Sequence, residues 1–190
     1  SVIERKNPSA AILAFQAAFP LTSSDQVELI IKALPPTSPC DEWESMLNIS
    51  RADWRIKIIT EDLQRDELLS LVGASDVYLS LHRSEGYGRT IAEAALLGLE
   101  IVASNFGGNV DFSSGDGFYM VPCKPWPIPP GTYPEASGHM WAEPDVQTAS
   151  LYLRKAVEQA PLRLSRSIAS LSLEWVGRNY RSALESYFLG

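Results

Sequence analysis

Residues 76–104 read DVYLSLHRSEGYGRTIAEAALLGLEIVAS. The apolar run from Asp76 to Leu81 has the length and bounding signals of a buried strand. A loop from His82 to Gly88 follows, with glycines at 86 and 88. Gly88 to Leu97 is read as a helix, and Glu100 to Ser104 (EIVAS) as the next strand. Strand, helix and strand in close succession make a βαβ unit, whose two strands run parallel.

Working outward, the same alternation extends over most of the chain. Asn7-Pro8 signals a helix start, with Asn7 as the N-cap and Pro8 at the first helical position. Ile12, Phe15 and Phe19 fall on one face of that helix before Pro20 ends it. Strands are expected over Val27 to Lys32, Trp54 to Ile59 and Gly117 to Val121, and helices from Asp41 to Ile49 and from Asp62 or Gln64 to Ala74. The fold class is therefore α/β: a Rossmann-like, doubly wound parallel sheet covered on both faces, with ligands beyond the carboxyl ends of the strands. Six prolines within Pro122 to Pro134 forbid a helix or a central strand, and predict a rigid surface excursion. Asp145 is expected to cap a helix running to about Gln159, with Trp141 to Asp145 (WAEPD) setting the turn before it. The segment from Leu162 to Leu189 reads as helical, with Leu173, Val176, Tyr180 and Leu184 on one packing stripe. This divides the chain into a Rossmann-like domain over 1–160 and C-terminal helices over 161–190.

The loop carries the chemistry. Gly86 and Gly88 let backbone N–H groups approach a bulky anion, and the helix behind them adds unpaired N–H groups and a positive dipole end. The string is not a P-loop, and Ile91 stands where a dinucleotide fingerprint needs its third glycine. Instead, acidic residues flank the glycines: Glu85 before them and Glu93 eight residues later in the helix. A carboxylate can accept hydrogen bonds from two vicinal hydroxyls. Two carboxylates bracketing a diphosphate site suit a ligand with a sugar on each side of that diphosphate.

At these residues the sequence resembles the C-terminal donor domain of retaining glycosyltransferases of GT-B architecture, family 4. The likeness covers Asn7 to about Asp145 and is tightest over Ser80 to Phe112. A closer similarity is to bacterial polysaccharide transferases, carried by Arg5-Lys6-Asn7-Pro8, the SLHRSEGYG run from Ser80 to Gly88, Gly108-Asn109, and WAEPD. The resemblance implies that Glu85 holds hydroxyls of the transferred sugar and that the amides of Gly86, Tyr87 and Gly88 hold the distal phosphate. It implies that Glu93 holds the ribose hydroxyls, that Lys6 with Arg5 neutralises the diphosphate leaving group, and that Ile58, Ile59 and Thr60 border the base. A further arginine that members often carry ahead of this lysine falls at Ser1 or outside the sequence. The donor so implied is a UDP- or GDP-sugar, bound as substrate, with no cofactor. The acceptor, a glycan or glycolipid, would sit on a second, N-terminal domain; the start at Ser1 reads as the start of a fragment.

Bulk properties narrow the classes. The 190 residues hold 45% hydrophobic and 21% charged residues, as expected of a globular domain. A net charge of -7 argues against non-specific nucleic-acid binding. No apolar run approaches the roughly 20 residues of a membrane span, so a cytoplasmic location is expected, with peripheral attachment of the full protein at the inner face of a bacterial membrane. No Asp-x-Asp string or ligand cluster has metal spacing, so the sequence predicts no metal. Cys40 and Cys123 read as reduced thiols. His82 stands either as a base or as a hydrogen-bonded strand-end residue. Two other functions compete: a non-catalytic nucleotide-sugar-binding or regulatory module, and an NAD-type oxidoreductase, which Ile91 disfavours.

Overall fold

The alternation of strands and helices predicts which residues face which layer, and a computed structural model, which describes residues 3–132 and 135–160, shows that layering. The elements in chain order are α1 (Ile3–Lys6), α2 (Pro8–Ala18), β1 (Leu29–Lys32), α3 (Asp41–Ala52), β2 (Ile56–Ile59), α4 (Arg65–Gly73) and β3 (Val77–Ser80). They continue with α5 (Arg89–Leu96), β4 (Glu100–Ser104), β5 (Phe118–Val121), β6 (Cys123–Pro127), β7 (Met140–Pro144) and α6 (Val146–Gln159), with a 3-10 turn at Gly108–Asp111 after β4. Strand ends lie within two residues of the expected ones, the ordinary uncertainty of such limits.

β3, β4 and β5 form a parallel sheet with β4 in the middle and every residue of β4 buried. Alternate side chains separate cleanly. Val77, Leu79, Val102, Tyr119 and Val121 join a core with α2, α3 and α6. Tyr78, Ile101, Ala103, Phe118 and Met120 join a second core with α5. Period-two alternation of apolar residues thus covers both faces, which is the doubly wound arrangement.

The five parallel strands do not share one ladder, however. β1 and β2 pair with each other, parallel, as a separate two-stranded sheet. Leu29, Ile31, Ile56 and Ile58 face the α2/α3/α6 core, whereas Ile30 and Lys57 are exposed on the opposite face. The pair is joined to the rest of the fold by apolar packing on that shared core.

The proline-rich stretch needs a correction. Cys123–Pro127 is strand, antiparallel to Met140–Pro144, so WAEPD lies mostly in β7 instead of forming a turn. Prolines are tolerated because they fall on alternate positions. Ile128 N–H bonds to the His139 carbonyl across the ladder, while Ala142, opposite Pro125, sends its N–H away from β6 to the Arg83 carbonyl at 3.0 Å. Pro125 and Pro127 therefore stand where a strand N–H would point outward, and no ladder bond is lost. Asp145 caps α6 as expected, its carboxylate accepting from Thr148 N–H at 2.6 Å.

Asn7 is also corrected. Its side chain caps nothing; its backbone is left-handed (φ 54°), and its N–H closes α1 on the Ile3 carbonyl at 3.0 Å. Asparagine enters this conformation more readily than most residues, so Asn7 ends one helix before Pro8 starts the next. The helix expected over Leu162 to Leu189 and Tyr133-Pro134 lie outside the described residues.

Candidate functional site

Two glycine-bearing loops leave the carboxyl ends of the neighbouring strands β3 and β4 and pack backbone to backbone. Gly108 N–H donates to the Glu85 carbonyl at 3.2 Å. A Cβ on Gly108 would stand 1.9 Å from the Gly86 carbonyl oxygen, and one on Gly107 would stand 2.5 Å from the Glu85 carbonyl oxygen. Gly88 (φ 84°) begins α5, and a Cβ there would meet Asn109 Cβ at 2.9 Å. The glycines after β4 thus serve a close approach between loops. Tyr87 packs over Phe112 with ring centroids 5.3 Å apart.

His82 ties these loops from below. It is fully buried. Its Nε2 faces the Phe106 carbonyl at 2.9 Å, which can only accept, so Nε2 carries the hydrogen and Nδ1 accepts from the Ser80 hydroxyl at 3.0 Å. Ser104 Oγ donates to the His82 carbonyl at 2.6 Å, and Asn109 Nδ2 to the Ser104 carbonyl at 3.0 Å. Of the two readings left open by the sequence, the geometry fits the hydrogen-bonded one. Burial pushes the imidazole below its ordinary pKa, outweighing the Phe106 hydrogen bond and the Glu85 charge that favour protonation. An unfolded chain takes up a proton near pH 6.5 that the native imidazole refuses. Stability is therefore full above about pH 6.5 and declines as pH falls below it, at up to ~1.4 kcal/mol per pH unit. In urea unfolding at pH 7.5 and 5.5, His82→Gln should lower stability at both values and show a smaller loss between them.

The charged groups gather above the loop. α1 brings Arg5 and Lys6 to Glu85: Lys6 Nζ hydrogen-bonds its carboxylate, and Arg5 Nη1 lies 3.7 Å from it while donating to the Ser84 carbonyl. Partial burial raises the Glu85 pKa, but the Lys6 hydrogen bond and the Lys6 and Arg5 charges outweigh it and hold the carboxyl below its ordinary range. Glu93, on α5, is paired with Arg65 at 2.8 Å and lies 3.8 Å from Arg89. Arg65 begins α4, so the loop that leaves β2 at Ile59 and Thr60 reaches the site through this ion pair. Glu85, Gly86, Tyr87, Gly88, Arg5 and Lys6 thus form one cluster, with Glu93 on the adjoining helix, whereas Ile59 and Thr60 stand at the end of β2 in the other sheet, six and five residues before Arg65.

Sequence reasoning missed Arg83 and the role of Glu143. Arg83 Nε and Nη2 bind both Glu143 oxygens at 2.6 and 3.3 Å, and Nη1 donates to the Glu4 carbonyl at 2.9 Å. Its backbone N–H donates to the Arg5 carbonyl at 2.9 Å. RKNP, SLHRSEGYG and WAEPD, which stand far apart in sequence, therefore meet at one residue, Arg83, whose backbone N–H reaches Arg5 and whose guanidinium reaches Glu143. Their joint presence was the available signal; their contact was not. Among the described residues, no group of three or more His, Cys, Asp or Glu side chains could hold a metal ion.

No protein-family model and no curated protein matches the chain. Solved structures do. WaaG, a glycosyltransferase involved in lipopolysaccharide biosynthesis, matches with a TM-score of 0.57 and 18% identity, over 86% of this chain and 37% of that one. A GtfA/B complex matches at 0.55 and 15%, over 96% and 33%. Anabaena HepE, solved with UDP and glucose, matches at 0.53 and 17%, over 96% and 46%. The chain has the fold of one GT-B half. It spans less than half the length of each of these chains, and at such identities the likeness establishes architecture. Two glycine loops at strand ends are where ligands sit in an open α/β fold of this kind.

Proposed function

We propose that this GT-B half is the donor-binding domain of a retaining, metal-independent hexosyltransferase that extends a bacterial surface polysaccharide or lipopolysaccharide. The observation that carries the reading is the cluster at the end of β3: a carboxylate, two cations and a glycine loop in contact, with a second carboxylate on the helix that follows. Neighbours of the same architecture, one solved with UDP and glucose, support it.

In this reading the amides of Gly86, Tyr87 and Gly88 and the start of α5 hold the distal phosphate. Glu85 accepts hydrogen bonds from hydroxyls of the transferred hexose, and Glu93 from those of the ribose. Ile59 and Thr60 border the base. Lys6, now on Glu85, turns to the phosphates as the sugar hydroxyls take over its carboxylate. Arg65 and Arg89 yield Glu93 to the ribose in the same way. In the reaction, the bond from the anomeric carbon to the phosphate oxygen breaks, and its electrons leave with the nucleoside diphosphate. Lys6, Arg5 and the loop amides stabilise the charge developing there, which is the main electrostatic task of such a transfer. The acceptor hydroxyl, held largely by a second domain, attacks from the same face and gives its proton to the departing phosphate. The enzyme acts in the cytoplasm, with the full protein attached at the inner face of the membrane; no described helix is long and apolar enough to cross one.

Calorimetric titration with UDP-, GDP- and ADP-sugars tests the reading. Binding of one base class at micromolar to millimolar concentration is expected, and weaker binding by Lys6→Ala and Glu93→Gln. No binding of any nucleotide or nucleotide sugar at millimolar concentration would sink it.

A further inference from the structure

The candidate cations stand on an element that cannot hold itself in place. α1 is a single turn of four residues, far below the length at which an isolated helix is stable. Asn7 closes it, but one closing bond does not fix its direction relative to the Gly86–Gly88 loop. That direction is set from outside.

Ile3 packs on the α2/α3/α6 core, and Cys40 Sγ donates to Glu4 Oε1 at 3.5 Å. The bonds to the Glu4 and Arg5 carbonyls, next to the cations, come from Arg83, and Arg83 is itself fixed. Its N–H and its Nη1 bind two successive α1 carbonyls, those of Arg5 and Glu4, at 2.9 Å each. Its remaining edge is held by both oxygens of Glu143, its carbonyl accepts from Ala142 N–H, and its guanidinium lies 5.8 Å from the centre of the Trp141 ring. Both partners of the ion pair are about four-fifths buried. A planar fork that meets a carboxylate on one edge and a carbonyl on the other has only one orientation available. The β6–β7 hairpin thereby reaches α1 through a single residue, by its backbone and by its side chain.

We infer that the Arg83–Glu143 pair is the positioning device of the donor site, with the hairpin residue Glu143 orienting Arg83, and Arg83 orienting the turn that presents Arg5 and Lys6 to a nucleoside diphosphate. The inference rests on the functional reading above. It adds that affinity for the diphosphate depends on residues that do not touch it. Charge alone is not enough in this arrangement, because a lysine at position 83 cannot span Glu143 and the Glu4 carbonyl together.

The test is titration of the wild-type chain, Glu143→Gln and Arg83→Lys with UDP, GDP and ADP, with uridine, guanosine and adenosine followed in parallel by ligand-observed NMR. Both variants should bind the preferred nucleoside diphosphate roughly tenfold more weakly, the effect of one lost charge-assisted hydrogen bond. Nucleoside binding should stay at the wild-type level, which a general loosening of the fold would not allow. Combining the two substitutions should cost no more than either alone. Wild-type affinity for the diphosphate in Arg83→Lys or Glu143→Gln would overturn the inference and leave the donor-domain reading standing. Equal weakening toward nucleoside and nucleoside diphosphate would overturn it as well. If the wild-type chain binds none of UDP, GDP, ADP and their sugars at millimolar concentration, both readings fall together.

Discussion

Gly108→Ala is expected to separate the two loops of the site. The added methyl would stand 1.9 Å from the Gly86 carbonyl oxygen and 3.0 Å from Tyr87 Cα, and both obstacles are backbone. Flexible side chains yield to such a contact at little cost, but here one loop has to move as a unit. Displacing it breaks the bond from Gly108 N–H to the Glu85 carbonyl and pulls Asn109 away from Gly88. Overpacking of this kind costs about 3 kcal/mol, a fall of roughly 6–12 °C in melting temperature for a chain this size. Thermal unfolding would check the first figure. Nucleotide titration of the folded variant should show binding lost at temperatures where the circular dichroism spectrum is still native. Gly86→Ala is the control: a Cβ there meets nothing within 4 Å, and its melting temperature should stay close to wild type. A Gly108→Ala protein with wild-type melting temperature would show that the loops are not packed as described.

The second large effect lies away from the site. Asp53→Ala should destabilise the fold by about 4 kcal/mol, since it strips the partner from a buried guanidinium. Asp53 and Arg55 side chains are 1% and 5% exposed and joined by two bonds, Nε to Oδ1 at 2.9 Å and Nη2 to Oδ2 at 2.7 Å. Arg55 also donates to the Phe19 carbonyl at 2.8 Å and stacks over the Phe15 ring, so the pair joins the end of α2, the end of α3 and the start of β2. The Arg55 hydrogen bonds hold the Asp53 carboxyl below its ordinary range despite burial. Its contribution is therefore complete above about pH 4 and fades only as pH falls further. Replacing both partners, Asp53→Ala with Arg55→Met, should cost less than Asp53→Ala alone, because no charge is left without a partner. Urea unfolding of the three proteins would show this order; a double variant weaker than the single one would contradict it.

What the sequence made legible, and what it did not, follows from the range of each interaction. The strands at 77–80, 100–104 and 118–121 were readable because both of their faces are covered, which makes each a short apolar run bounded by helix and turn signals. The loop at Ser84 to Gly88 was readable because its glycines and acids lie close together in sequence. Arg83 and Glu143 are sixty residues apart, and nothing local to either announces the other. The same holds for Arg65 with Glu93. Asn7 was misread because Asn before Pro is a common cap, and only the backbone shows that it closes the turn behind it instead. The split between β1–β2 and β3–β5 was out of reach because both groups carry the same apolar signal. For the prolines, composition was a sound guide to what cannot form. It did not show that they fall on alternate residues, which is what admits a strand.

That alternation has a consequence for how the protein behaves in a crowded solution. The free side of β6 lacks hydrogen-bond donors at Pro125 and Pro127, while on the far side of β7 the Ala142 N–H is already bonded to the Arg83 carbonyl. A strand from a neighbouring molecule seeking to extend this hairpin would find successive carbonyls without the N–H groups that a growing sheet requires. Trp126 and Met140 thus stand exposed on a hairpin whose β6 edge offers an incoming strand no donor at two successive outward positions.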